Sequence, residues 1–386
     1  MKTSSRGAVD AFIVMDVMEA ARAAEEAGRH IIHMEVGQPG TGAPQGALDR
    51  LAADMDASPL GYSVALGIPE LRARIARHYG EWHDLDLDPG RVVVTAGASG
   101  AFLLAFSLLF ETGARVGLGE PCYPSYRQIL KALDMRAVGI PTTLDNRLQP
   151  VPGDVAANRL DGLLVASPAN PSGTMLSRPE IAALSAACDA AGANFISDEI
   201  YHGLTYGVPA VSALEVTDAV CVINSFSKYY SMTGWRVGWM VLPPDLVRGA
   251  ERLAQNMFIC ASHASQRLAL HAMDCTEELD ANVAVYARNR DLMLEHLPRA
   301  GFRAIAPPDG AFYVYADVSD ITDDALAFSR EILDEAGVAV TPGVDFDPDR
   351  GRHWLRFSYA RGTADIEEGL ARLTSFMARR GTAVAQ

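Results

Sequence analysis

Apolar residues along this chain gather in short unbroken runs: Val92-Val93-Val94, Val116-Gly117-Leu118, Leu163-Leu164-Val165-Ala166, Phe195-Ile196 and Ala219-Val220-Cys221-Val222-Ile223. A run with no polar alternation predicts a strand covered on both faces, as in a parallel sheet. Between runs the apolar period changes to that of a helix. Pro179 and Glu180 open one such segment, Ile181, Leu184 and Cys188 line a face, and Gly192 ends it. Pro69-Glu70 opens another, apolar at helical spacing over 71–79. Both have proline and an acid in the first turn, where a helix leaves N–H groups unpaired. Strands alternating with helices predict an α/β fold with a mostly parallel sheet flanked by helices. Near the start, 8–28 carries Phe12, Ile13 and Val14, by default core packing and alternatively a mobile apolar cover, and runs into an amphipathic helix closed by Gly28. A short strand over 31–36 then meets the Gly/Pro loop 37–44, where Gly37 permits close approach of backbone to a ligand.

After Pro243-Pro244 the pattern stays helical over roughly 245–299. Short elements follow: strands at 310–315, 338–340 and 353–359, a helix near 323–336, and a terminal helix from about 364. This change after about 282 predicts a second, smaller domain.

At 386 residues the chain can bury a large core. Its net charge of −15 argues against a nucleic-acid or anionic-membrane surface as the main function. The five cysteines are widely spaced without a CxxC, and 1–6 lacks the apolar core of a signal peptide. Together these predict reduced thiols in a cytoplasm, with no disulfide frame and no metal site.

The chemistry gathers where the runs end. Lys228 follows a strand and sits among Ser225, Phe226, Ser227 and Tyr229, a poor setting for a solvated surface charge. A lysine in apolar surroundings has a lowered pKa and can act as an amine nucleophile forming a Schiff base. Arg236, eight residues later, and the serines suit a phosphate. An amine beside a phosphate cradle points to pyridoxal phosphate. A second anion site is offered by Gly97-Ala98-Ser99, small residues where a strand turns into a helix. Tyr123, bracketed by Pro121 and Pro124, offers a ring face from a rigid loop. Asn170, Asp198 and Tyr201 stand beyond two further strands, at the edge where open α/β sheets bind ligands.

Asn170-Pro171-Ser172-Gly173, Ser197-Asp198-Glu199-Ile200-Tyr201 and Ser225-Phe226-Ser227-Lys228 with Met232-Thr233-Gly234-Trp235-Arg236-Val237-Gly238 occur in this order. With them the chain resembles, from the Gly37 loop to the Arg356 strand, the class I/II aminotransferases of the fold-type I pyridoxal-phosphate enzymes. The resemblance implies a large cofactor-binding domain over 46–282 and a smaller α/β domain with an N-terminal lid built from both termini, 1–45 and 283–386. It implies that Lys228 is the Schiff-base lysine and proton carrier and that Asp198 faces the pyridine nitrogen. Asn170 and Tyr201 would bond the ring's phenolic oxygen. Gly97, Ala98, Ser99, Ser225, Ser227 and Arg236 would hold the phosphate, and Tyr123 would stack on the ring. Tyr62 matches the tyrosine that reaches the neighbouring subunit's cofactor, which implies a homodimer with shared sites. Arg356, near the Gly37 backbone and Asn170, would clamp the substrate α-carboxylate.

The expected reaction is amino-group transfer between an amino acid and a 2-oxo acid. The donor is left open among aspartate, alanine and apolar or aromatic amino acids. The stretch 256–266 contains no Arg or Lys to meet a second substrate carboxylate, and His263 there is as well explained by packing. One alternative keeps the cofactor but eliminates across a C–S bond, as β-lyases similar to aminotransferases do. Another is a non-catalytic regulator that senses pyridoxal phosphate. It would carry a helix-turn-helix domain, for which the roughly thirty residues before the Gly37 loop are too few.

Overall fold

The computed structural model describes residues 1–302 and 304–384. Its centre is a seven-stranded sheet in the order Val92–Thr95, Gly238–Val241, Cys221–Ser225, Asn194–Asp198, Gly162–Ala166, Arg115–Glu120, Arg136–Pro141. Every pairing in it is parallel except the two made by Gly238–Val241. Ala166, Asp198 and Ile223 are register partners, so two strands end level, the third runs two residues further to Ser225, and their following loops leave the same edge. The helix Gly97–Leu109 buries Gly97, Ala98, Ala101, Phe102, Leu104, Ala105 and Phe106. It is apolar nearly all round, although Leu103 is left exposed.

The antiparallel strand Gly238–Val241 has a local cause. The twelve residues 226–237 that separate it from Cys221–Ser225 hold no crossover helix of the kind that joins parallel strands. The chain turns back through the short helical turn Thr233–Trp235 and a left-handed Arg236 at φ 50°. That return brings Arg236 alongside Ser227.

The expected strand over 31–36 is reduced to Ile32–His33, parallel to Val338–Ala339. Its continuation is diverted to other partners. Met34 N–H donates to the Ala339 carbonyl, and the Glu35 carbonyl accepts from Thr341 Oγ1 and from Arg356. The long helical region divides into Pro244–Met257, His263–Ala272 and Thr276–Arg299, with Ser262 capping the second. The last of these runs unbroken through the expected domain boundary near 282. The expected helix 323–336 is Ala325–Glu331 continued by a wider π turn, Ile332–Ala336, that ends at left-handed Gly337.

A second sheet pairs Thr341–Pro342, Trp354–Ser358, Tyr313–Asp317 and Ala304–Ala306, all antiparallel. Tyr315 lies opposite Arg356 and Tyr313 opposite Ser358. The two-residue side-chain period therefore puts Tyr313 and Arg356 on one face. Among the described residues no helix is long and apolar enough to cross a membrane, and no group of three or more His, Cys, Asp or Glu is placed to hold a metal ion.

Candidate active site

A cavity of about 350 Å³ opens beyond the carboxyl ends of the parallel strands. Gly37, Ala98, Ser99, Tyr123, Asn170, Asp198, Tyr201, Ser227, Lys228, Arg236 and Arg356 all line it. Residues scattered over most of the chain thus meet because each follows or lies on a strand whose end faces this space.

Lys228 Nζ donates to the Gly37 carbonyl at 2.5 Å and lies 5.7 Å from the Tyr201 ring centroid and 5.8 Å from that of Phe312. Burial, with Arg356 and Arg236 nearby, brings its amine down to about 7, against the pull of Asp198. Near neutral pH the amine is therefore partly unprotonated, the form a nucleophile or base requires.

Asp198 is buried at the end of its strand. One carboxylate oxygen accepts from Ile200 N–H at 3.1 Å, the other from the Tyr126 hydroxyl. Burial raises Asp198 to about 6, opposed by those two hydrogen bonds. Its neighbour Glu199 is also buried and accepts from Ser197, Ser212 and Ala213 N–H, so the turn between Asp198 and Tyr201 is tied from below.

The Arg356 guanidinium is 3% exposed, which makes its contacts decisive. It donates to Asn170 Oδ1 at 2.9 Å, to Thr341 Oγ1 at 3.3 Å and to the Glu35 carbonyl. It lies 4.4 Å from the Tyr313 ring centroid and 4.7 Å from that of Phe346. Nε has no hydrogen-bond partner among the described residues. A buried, oriented cation that lines the cavity suits a carboxylate.

At the opposite side Gly97 opens its helix at φ 71°, and no side chain caps that N-terminus. A Cβ at Gly97 would collide with the Arg236 guanidinium, so glycine is what lets the arginine lie against the helix start. Arg236 Nη1 is 3.4 Å from Ser227 Oγ, and Ser225 Oγ donates to Ser227 Oγ at 2.9 Å. Open N–H groups, a guanidinium and hydroxyls fit a phosphate. Ser225 stands behind Ser227 and does not line the cavity itself.

Tyr62 is placed elsewhere: it is 84% exposed and outside the cavity of its own chain. His263 Nδ1 pairs with the Gly61 carbonyl at 2.7 Å, which supports its packing role. The apolar cover is anchored at both ends. Asp10 pairs with Gln128, while both carboxylate oxygens of Asp345 accept from the N–H groups of Ile13 and Val14 at 3.1 Å. Phe12, Val14 and Met15 thereby wall the cavity, with Phe12 edge-on to Tyr123 at 5.8 Å.

Sequence reasoning missed Tyr126, Tyr313 and Asp345. Tyr126 lies one helical turn beyond Tyr123 and was open to that inference; the other two carry no local signal.

An amine of lowered basicity, a buried carboxylate, a phosphate cradle and a carboxylate-ready arginine around one cavity define a pyridoxal-phosphate site on a fold-type I scaffold. The comparisons with known proteins give the family. The family profile described as aminotransferase class I and II matches residues 29–373, and the chain belongs to that family. It is 46% identical to the valine–pyruvate aminotransferase of Mycobacterium tuberculosis, over 97% of this chain and 98% of the relative. It is 33% identical to an arginine–pyruvate transaminase of Pseudomonas aeruginosa, over 96% of each. A solved chain from Silicibacter pomeroyi superposes with a TM-score of 0.94 at 67% identity, covering 98% of this chain and 100% of that one. The protein is a pyridoxal-phosphate-dependent aminotransferase.

Proposed function

We propose that this aminotransferase takes its amino group from a small apolar amino acid and passes it to pyruvate. The single observation that carries the choice of donor is the apolar part of the cavity wall, made of Phe12, Val14, Met15 and Val36. The cations lining the cavity are Lys228, Arg236 and Arg356, each already committed to the cofactor or to the α-carboxylate, which leaves none for a second acidic group. Burying an unpaired carboxylate against such a wall is costly, whereas a branched aliphatic side chain gains roughly 25 cal/mol for each Å² removed from water. The valine–pyruvate and arginine–pyruvate relatives support pyruvate as acceptor.

In this reading Arg356 and Asn170 hold the α-carboxylate and thereby aim Cα at Lys228. The bound cofactor supplies a ring able to take up the electron pair left when the Cα–H bond breaks. Lys228 Nζ would take that proton from Cα and deliver it to the carbon on the far side of the amino nitrogen. Asp198, fixed by Tyr126 and Ile200 N–H, would present a negative charge to the pyridine nitrogen. Gly97, Ala98 and Ser99 at the helix start, with Ser227 and Arg236, would hold the phosphate, and Ser225 would orient Ser227 from behind. Tyr123 covers the ring, and Phe12, Val14 and Met15 exclude water from it. The sheet of 92–241 and the sheet of 304–358 belong to two units that close on the substrate. A homodimer completes the assembly, and the apolar residues Tyr62, Val64, Met257 and Ile259, exposed in the single chain, are ones it would cover.

Initial rates with valine, leucine, aspartate and cystathionine, each against pyruvate and 2-oxoglutarate, and with alanine against 2-oxoglutarate alone, test the reading. Valine with pyruvate is expected to show the highest kcat/KM. Aspartate as the best donor would overturn the assignment, and acceptor-independent pyruvate release from cystathionine would mark a lyase instead.

A further inference from the structure

The hydroxyls of Tyr201 and Tyr313 are 2.7 Å apart, across 112 residues of chain. Both tyrosines are buried, at 3% and 1% exposure, so neither hydroxyl can turn to bulk water. Among the described residues this is the one hydrogen bond of the Tyr313 hydroxyl. A phenol has one proton to give and lone pairs to receive with. A Tyr201 hydroxyl that donates into the cavity must accept from behind, and Tyr313 is the group behind it. The opposite arrangement, Tyr201 donating to Tyr313, would face the cofactor's phenolic oxygen with lone pairs only.

We propose that Tyr313 is a positioning residue for this reaction: its hydroxyl donates to Tyr201 and so commits the proton of Tyr201 to the cofactor's ring oxygen. This rests on the reading above, in which Tyr201 faces that oxygen. Hydrogen bonds in such a chain polarise one another, so the outer donor strengthens the inner one. The geometry leaves Tyr313 little freedom to do otherwise. Its ring carries the Arg356 guanidinium on one face at 4.4 Å. A Cβ at Gly37 would overlap its hydroxyl, so the loop backbone packs directly on the phenol. The same loop's carbonyl receives Lys228 Nζ. Tyr313 thus touches the groups assigned to the cofactor oxygen, the substrate carboxylate and the lysine at once. The charged and titratable groups facing the tyrosine pair are Arg356, Asp198, Lys228 and Tyr123.

Tyr313→Phe removes the hydroxyl and keeps the ring beneath Arg356. Purified wild type, Tyr313→Phe, Tyr201→Phe and the double variant, all loaded with pyridoxal phosphate, are titrated by visible absorption, with thermal midpoints recorded to show that each is folded. Losing donation to the ring oxygen makes the lysine-linked chromophore more basic, so the spectral midpoint should rise. Tyr313→Phe should raise it by roughly half to one pH unit, the worth of one hydrogen bond. Tyr201→Phe should raise it further, and the double variant should match Tyr201→Phe because the outer hydroxyl acts only through the inner one. The donor KM should stay within about twofold of wild type, since the aromatic face under Arg356 is kept. A midpoint that moves in Tyr201→Phe and not in Tyr313→Phe overturns the relay alone. Unmoved midpoints in both overturn the placement of Tyr201 and the relay with it.

Discussion

Lys228 Nζ and the carbonyl oxygen of Gly37 lie 2.5 Å apart across 191 residues of sequence. The contact joins the end of a central strand to the N-terminal loop, and it closes the cavity over the amine. Burial withdraws the amine from water, the carbonyl receives the ammonium but cannot neutralise it, and the nearby arginines oppose its charge. This is why the lysine is weakly basic instead of ion-paired.

That depressed basicity sets a pH dependence in the cofactor-free protein. The folded-state value of about 7 lies below the ordinary 10.5, so below 7 the fold bears the full cost of a buried charge. Between about 7 and 10 the unfolded chain holds more protons than the folded one, and this contribution to stability rises with pH. Lys228→Met should therefore raise the thermal midpoint of cofactor-free protein at about pH 6, with the advantage shrinking toward about pH 10. Asp198 titrates lower, near 6, and so leaves the upper part of this window to the lysine. Calorimetry across pH checks it; an advantage that grows with pH contradicts it.

Lys228→Ala should abolish amino-group transfer and the lysine-linked absorption band while pyridoxal phosphate still binds through its phosphate. Retained turnover would remove Lys228 from the role of proton carrier.

Arg236→Leu should weaken cofactor retention by about tenfold to a hundredfold, the worth of a charge-assisted contact. Dialysis followed by absorbance measures it. A variant that keeps its cofactor as wild type does would move the phosphate away from the Gly97 helix start.

Asp345→Ala removes the acceptor of two N–H groups at the start of the helix Ile13–Glu26, a loss of about 1 kcal/mol in anchoring. Since that helix start carries Phe12, Val14 and Met15, KM for valine should rise about fivefold and KM for alanine less. Equal changes for both donors would show that the cover does not read the side chain.

Gly37→Ala should lower kcat/KM by about a hundredfold, because the added methyl meets the Tyr313 hydroxyl and displaces the loop that holds Lys228. Steady-state kinetics decide; near-normal turnover would mean that the loop yields freely.

Local signals in the chain were enough to define the parallel strands and the loops that leave their ends. Unbroken apolar runs, proline-opened helices and glycine stops are such signals, and a strand's direction fixes the edge where its next loop emerges. Lys228, Asp198, Asn170 and the Gly97 turn were legible for that reason. Ser225 was legible too, although it lies one layer behind the cavity. The antiparallel return of Gly238–Val241 was not, since Gly-Trp-Met-Val reads equally well in either direction and the tight turn at Arg236 decides it. Nor was the partnership of Tyr126 with Asp198, of Tyr313 with Tyr201, or of Asp345 with Ile13 and Val14, contacts spanning 72, 112 and more than 330 residues. In each case a polar group is buried where water cannot satisfy it, and which group satisfies it instead depends on the packing of distant elements.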